Sequence, residues 1–392
     1  MNTKIKKQKI LLFSPIFYPD TGGPAIQGKF LAEMLHQNGF TVYVIKFGPN
    51  DLINSDLKII SLNWFPNPGF SKRLYRWFIG PIISSFYLLK IRPNLVIVNS
   101  VFWNGMIMGL ICRLVRIPTI LKFAGDWVFE NLATHKKFKV NFEEIYKENK
   151  INKLLFRLEK YFVSKFDVIW VISNFRKKNV ELLTNKPKIW LQSNFHNLPE
   201  IFEPNPHRFK SPIVFVTSAR LIPHKRIDVL IETLSKLNYD YKFIIIGEGS
   251  EISNLKEIAL NLGINKKVFF LGKISSGLLY QILNDSTVYL SWSAEEGAPN
   301  AFIEAMHFGL PIFTANVGGI SEMFEEGSNA VKLINPDESK DLLDLIVNLD
   351  SSLEELKIMS LSSLKEGRKF LQSENEKIVL DFIQNLMLRT KL

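Results

Sequence analysis

One cysteine, Cys112, is all that 392 residues offer, so no internal disulfide can form and a reducing compartment suits the chain. Its six histidines are scattered and share no ligand spacing with Cys or Asp, which argues against a zinc site. No Asp-x-Asp occurs, so the clustered carboxylates that commonly hold Mg²⁺ against a phosphorylated substrate are missing. No segment reaches 18 uninterrupted apolar residues; the nearest, Trp77 to Leu89, is broken by Pro81 and two serines, and no membrane span is expected. The N-terminal apolar run is interrupted by Pro15, ends at Asp20 and lacks a small-residue cleavage site, so it reads as a buried strand and not as a signal peptide. The first Gly of a G-x-G-x-x-G pattern is absent after that strand, which argues against a nicotinamide dehydrogenase. There is neither a low-complexity segment nor a short-period repeat.

What is present is an ordinary globular composition, 46% hydrophobic and 22% charged, in a chain long enough for two domains. The net charge of +11 is unevenly placed: residues 1–205 hold 29 Lys and Arg against 14 Asp and Glu, and the remainder holds 20 against 24. A basic half beside a slightly acidic one implies that the first half alone meets an anionic partner. Short apolar runs such as Ile10–Phe13, Thr41–Lys46, Leu57–Leu62, Leu95–Asn99, Thr119–Phe123 and Val168–Ile172 are separated by helical patterns, the first from about Gln27 to Asn38. Such unalternating runs predict a parallel sheet covered on both faces. Residues 196–212, with four prolines, read as a linker, after which the alternation restarts at Ile213. The expected architecture is α/β, two doubly wound Rossmann-like domains with the ligand at the carboxyl ends of the strands, in a cleft between them: residues 1–205 and 206–373.

The stretch Ser291–Pro311, SWSAEEGAPNAFIEAMHFGLP, concentrates the chemistry. Glu296 and Glu304 flank Gly297 and Pro299, and Phe302, Ala305 and Met306 mark one face of a short helix starting at Pro299. Amides near Asn300 and Ala301 then form a helix N-terminus suited to an anion, beside carboxylates suited to hydroxyls. A sugar nucleotide presents both groups. Arg220 and Lys225, in SARLIPHKRIDVLIE, sit in a strand-to-helix loop and can neutralise a pyrophosphate without metal, the guanidinium by forked hydrogen bonds and the ammonium as a point charge. The adjacent Gly22 and Gly23, after the first strand, let backbone approach a ligand.

Five pieces in order carry a family resemblance: PDTGGPAIQGKFLAEMLHQNGFTVYVI, ARLIPHKRIDVLIE, FIIIGEGSE, VFFLGKIS and SAEEGAPNAFIEAMHFGLPIFTANVGGISE. Over nearly its whole length the chain resembles the family-4 retaining glycosyltransferases of GT-B fold. The resemblance implies that Arg220 and Lys225 bind the donor diphosphate, that Glu304 holds the nucleotide ribose, and that Glu296 with Gly297, Ala298, Asn300 and Ala301 binds the donor sugar. It further implies that Gly22 and Gly23 approach the phosphates, and that Gly247, Gly249, Gly272, Lys273 and Ile274 flank the base. The C-terminal helix, residues 374–392, is expected to return to the first domain. The implied reaction is metal-independent transfer of a hexose from a nucleotide-diphosphate sugar to a hydroxyl, with no cofactor.

Two positions depart from the family pattern. FAGDWVFE carries Ala124 where many members have His, which makes Asp126 the acceptor-side candidate, although an aspartate there could equally cap a helix. The usual Asn-Gly turn reads Asn194-Phe195. Ser173 is expected to cap a helix. Basic and aromatic residues interleave over 70–92, with Arg113, Arg116, Lys136 and Lys137 following, which fits an anionic membrane surface and carries no nucleic-acid motif. The expectation is a peripheral enzyme on the cytoplasmic face of a membrane, acting on a lipid-linked saccharide in polysaccharide or glycolipid synthesis. A non-catalytic GT-B partner subunit and a UDP-sugar 2-epimerase of the same fold are the alternatives.

Overall fold

A computed structural model describes residues 8–20, 22–48, 56–62, 79–101, 103–126, 150–185, 188–199 and 205–389. The chain divides into two compact units, the first running to Asn194 and resuming at Asn375, the second comprising Phe195–Glu374.

In the first unit, β1 (Lys9–Phe13), β2 (Thr41–Phe47), β3 (Lys58–Leu62), β4 (Leu95–Val101), β5 (Thr119–Asp126), β6 (Val168–Val171) and β7 (Lys188–Leu191) form one parallel sheet ordered β3-β2-β1-β4-β5-β6-β7. Its central strands are apolar because helices cover both faces: Ile10, Leu11, Leu12 and Phe13 are fully buried. The helix Gly23–Gln37 begins four residues earlier than its apolar periodicity alone indicates, because Gly22, at φ 111°, turns the chain and Pro24 is pre-set for a first turn. Ser173 caps the helix Asn174–Leu183, its hydroxyl accepting the Arg176 amide at 3.3 Å. β7 escapes the sequence reading because KIWL is short, and its outer edge is half exposed. Within this unit the C-terminal helix Gln372–Arg389 stacks Phe382 on Trp190, ring centroids 3.9 Å apart and planes 6° from parallel.

In the second unit, β8 (Ile213–Ser218), β9 (Tyr241–Ile246), β10 (Val268–Gly272), β11 (Val288–Ser291), β12 (Ile312–Ala315) and β13 (Val331–Ile334) form a parallel sheet ordered β10-β9-β8-β11-β12-β13. Both sheets thus reverse direction once, between β1 and β4 and between β8 and β11. In a doubly wound sheet, loops leaving the carboxyl ends of strands at such a reversal diverge and open a crevice, the usual ligand position. The described parts of 196–212, residues 196–199 and 205–212, are tied to the second unit. The His196 amide donates to Phe370 O, the Gln372 amide donates to His196 O, and the buried Arg208 guanidinium donates to the carbonyls of Phe308 and Gly309, all within this unit. Burial pulls the Arg208 guanidinium down to about 10.

Candidate functional site

The reversal in the second sheet assembles the residues singled out in sequence. Arg220 and Lys225 lie on the loop leaving β8, and Glu296 lies on the loop leaving the neighbouring β11. Local chain direction explains how they meet. After β8 the chain enters a one-turn 3-10 helix, Pro223–Lys225, and Arg226 at φ 47° reverses it into the helix Ile227–Leu234. That turn brings the Lys225 ammonium onto Glu296 Oε1, and the Ser293 hydroxyl donates to the same oxygen at 2.7 Å. Two further bonds pin the loops together, the Ala294 amide to His224 O and the His224 ring to Glu295 O, each at 2.9 Å.

Burial by itself would raise the Glu296 carboxyl. The Lys225 charge and hydrogen bond, helped by Ser293 and His224, outweigh it and hold the group below the ordinary carboxylate range. Glu296 is therefore an anion at neutral pH. Arg220, two residues beyond β8, is exposed to solvent.

Glu304 is different. It lies on the helix Asn300–His307, 8% exposed, and desolvation pushes its carboxyl up to about 7. Pro299 stands one place before the first helical residue, as the cap, where the sequence placed it inside; with φ −68° and ψ 127° it is extended and offers no side-chain cap.

The glycines have a steric reason. A Cβ at Gly247 (φ 129°) would sit 1.9 Å from Ala219 O, one at Gly249 2.2 Å from Leu221 O, and one at Gly318 (φ 61°) 1.9 Å from Glu296 O. Only glycine lets these loops run against the backbone that carries Arg220 and Glu296. Gly272 (φ 65°) ends β10 and accepts the Gly247 amide at 2.9 Å, with Lys273 and Ile274 following it. Gly297 and Ala298 are buried beside Glu296, and Asn300 and Ala301 open the helix that carries Glu304.

In the first unit, Gly22 and Gly23 form the turn into the first helix. Asp126 closes β5, paired in register with Val101; its side chain lies outside the described residues, as do 70–78 and the segment holding Lys136 and Lys137. Sequence reasoning missed Lys122, in the run TILKF read simply as an apolar strand. It is 1% exposed, donates to Gln27 Oε1 at 3.1 Å and lies 4.4 Å from the Trp170 ring centroid, and burial lowers its ammonium to about 7. A charged residue inside an apolar strand run was the available signal. Among the described residues, no group of three or more His, Cys, Asp or Glu could hold a metal ion.

Fold and site together define a GT-B chain, two Rossmann-like units with cationic and acidic side chains gathered at the second sheet's reversal. Residues 200–359 match the family described as Glycosyl transferases group 1. An uncharacterized glycosyltransferase of Methanocaldococcus jannaschii is 28% identical over 267 residues, covering 63% of this chain; the chain spans 62% of that relative's length. Sucrose-phosphate synthase from Thermosynechococcus elongatus superposes with a TM-score of 0.81 at 16% identity, covering 98% of this chain and all of that one. The Anabaena protein HepE, solved with UDP and glucose, superposes with a TM-score of 0.72 at 16% identity over 96% of this chain and 100% of its own. The chain is a GT-B-fold relative of sugar transferases.

Proposed function

We propose that this chain is a retaining glycosyltransferase that moves a hexose from a nucleotide-diphosphate sugar to a hydroxyl of a lipid-linked saccharide, in surface polysaccharide or glycolipid synthesis at the cytoplasmic face of a membrane. The observation that carries the reading is the Lys225–Glu296 pair at the reversal of the second sheet, with Arg220 on the same loop as Lys225. A cation alone would fit any phosphate ligand and a carboxylate alone any polyol. A pair able to exchange its internal partner for both fits a ligand that carries both.

In this reading the second unit holds the donor. Arg220 and Lys225 take the diphosphate, releasing Glu296 to accept from donor-sugar hydroxyls beside the Gly297–Ala301 backbone, and Glu304 accepts from the ribose diol. Gly247, Gly249 and Gly272–Ile274 border the base. The bond from the anomeric carbon to the diphosphate oxygen breaks with its electron pair going to the diphosphate, whose growing charge the two cations offset. The acceptor oxygen bonds to the same carbon on the face the diphosphate leaves, and its proton passes to a diphosphate oxygen. The first unit takes the acceptor, with Asp126 accepting from the incoming hydroxyl and Gly22–Gly23 meeting the phosphates. A uridine nucleotide and a hexose are what the Anabaena relative was solved with, which supports a UDP-hexose as the first donor to try.

Turnover of UDP-hexoses by the purified protein tests this. Arg220→Ala is expected to lower kcat by about 10²–10³, the usual cost of losing a donor aimed at developing charge. Activity is expected to persist in EDTA. Wild-type turnover in the variant, or activity that vanishes with EDTA and returns with Mg²⁺, overturns the reading.

A further inference from the structure

The four helices that follow β3, β4, β5 and β6 each lead the chain the same way across the first sheet, so right-handed crossovers place them all on one face. They pack side by side in order: Gly80–Ile91 on Trp103–Leu114, that on Lys150–Val163, and that on Asn174–Leu183. Their outward surface is unlike a solvated one. On the first helix Ile82, Phe86 and Leu89, on one stripe, are 69%, 60% and 55% exposed. At the end of the second Leu114 is 76% exposed, and on the third Ile151 and Leu154 are 70% and 55% exposed. Scattered exposed apolar residues are commonplace, but three of them along one helix stripe with more on the next two helices are not.

On the first three of these helices the exposed charge has one sign. Lys90 and Arg92, Arg113 and Arg116, and Arg157 and Lys160 are all exposed. Among the described residues of the first three helices and their caps, 79–92, 103–116 and 150–163, the one acid is Glu159, and it is buried. Arg92 and Arg116 stand at φ 50° and 57°, a left-handed conformation that glycine adopts at helix ends without strain. Cations are thus placed where a glycine would cost the fold less. Between the third and fourth helices a recess of about 520 Å³ is lined by Arg157, Lys160, Lys165, Tyr161 and Ser164, with Glu181 as its one acid.

We propose that this helical face is a docking surface for an anionic lipid bilayer, with Ile82, Phe86, Leu89, Leu114, Ile151 and Leu154 entering the acyl boundary and the flanking Lys and Arg meeting phosphate headgroups. Charge complementarity commits the occupant to an anion, and half- to three-quarters-exposed aliphatic side chains select hydrocarbon over the phosphates and sugars of a nucleic acid. This deepens the lipid-linked reading of the acceptor, but the surface stands without it.

The test is flotation of the full chain with vesicles of phosphatidylcholine alone and of phosphatidylcholine with phosphatidylglycerol, alongside a duplex oligonucleotide in a binding titration. The protein is expected to float with the anionic vesicles only, and to release as salt rises and the Debye length shrinks from about 10 Å toward 3 Å. Phe86→Asp and Arg113→Glu, both at exposed positions, are each expected to lower partitioning about tenfold, with the thermal shift produced by UDP unchanged. Equal, negligible flotation with both vesicles, retention of wild-type partitioning by both variants, or tighter binding of the duplex overturns the proposal. Flotation that persists in a protein showing no UDP shift would sink the transfer reading and leave the docking surface standing.

Discussion

The Lys225 ammonium and the Glu296 carboxylate, 71 positions apart in sequence, neutralise each other on neighbouring loops of the second sheet. Neither is fully buried, at 17% and 14% side-chain exposure, so the pair is shielded enough to matter and accessible enough to be opened by a ligand. On the proposed reading, in which both groups meet the donor, Lys225→Ala is expected to lower turnover by about 10²–10³ and Glu296→Gln to fall in the same range. The double variant should lose little more than the worse single one, since the two act as a unit. Losses that simply multiply would show that they act apart. With Lys225 gone, burial is opposed only by Ser293 and His224 and the Glu296 carboxyl rises, so the acid limb of the variant's pH–rate profile should move upward.

Glu304 sets a stability trend of one sign. Its folded value, about 7, lies above the ordinary 4.5, so the folded form favours the protonated acid. That stabilisation is complete below about 4.5 and is lost as pH rises through about 7. Glu304→Gln should therefore raise the melting temperature at pH 8.5 more than at pH 5.5, with a gain of about 1–3 kcal/mol at the higher pH. It should also weaken UDP binding, since an amide replaces two acceptor oxygens. A uniform shift at both pH values would refute the burial argument.

Lys122 runs the other way. Its folded value near 7 lies below the ordinary 10.5, so the neutral amine is favoured in the fold, and stability falls as pH drops through 7. Lys122→Met should raise the melting temperature most at acid pH, by the equivalent of about 2–4 kcal/mol. Differential scanning calorimetry between pH 5.5 and 9 would detect the crossing trends of these two variants. A destabilised Lys122→Met protein at pH 5.5 would mean that the bond to Gln27 and the contact with Trp170 outweigh desolvation.

Two glycines separate conformational strain from collision. Gly22→Ala has open space for its Cβ and pays only for φ 111°, an expected loss of about 1 kcal/mol. Gly247→Ala suffers both its φ of 129° and a contact 1.9 Å from Ala219 O, a backbone atom that cannot rotate away. It should cost about 2–4 kcal/mol in urea melts and also impair Arg220, whose loop must shift. Equal destabilisation of the two proteins would contradict the steric account.

Much of the fold was legible because its signals are local. Apolar runs such as Ile10–Phe13 and Val288–Ser291 are buried on both faces, and such burial demands near-unbroken hydrophobicity that can be read along the chain. Strands at the far side of each sheet, β7, β12 and β13, went unread: Lys188 and Lys332 break the apolar runs of the partly exposed β7 and β13, and the short IFTA of β12 follows directly on a helix stop. The proline-rich stretch from residue 196 read as a linker because composition reports flexibility and not partners. Its partners Phe370, Gln372, Phe308 and Gly309 lie 100 or more positions away.

The residue types in the site and their loops came from sequence alone: a guanidinium and an ammonium after one strand, two carboxylates after another, and glycines where backbone must pass. Tertiary structure decided which of them touch. It paired Lys225 with Glu296, because strands β8 and β11 lie side by side only after the second sheet reverses its order, it buried Glu304, and in the first unit it brought Lys122 of β5 to Gln27 of the first helix. It also gathered apolar and basic residues of three helices on one face, where the one acid among the described residues of those helices, Glu159, is buried. Such a surface depends on side-by-side packing of helices, a relation between distant segments that linear spacing does not encode.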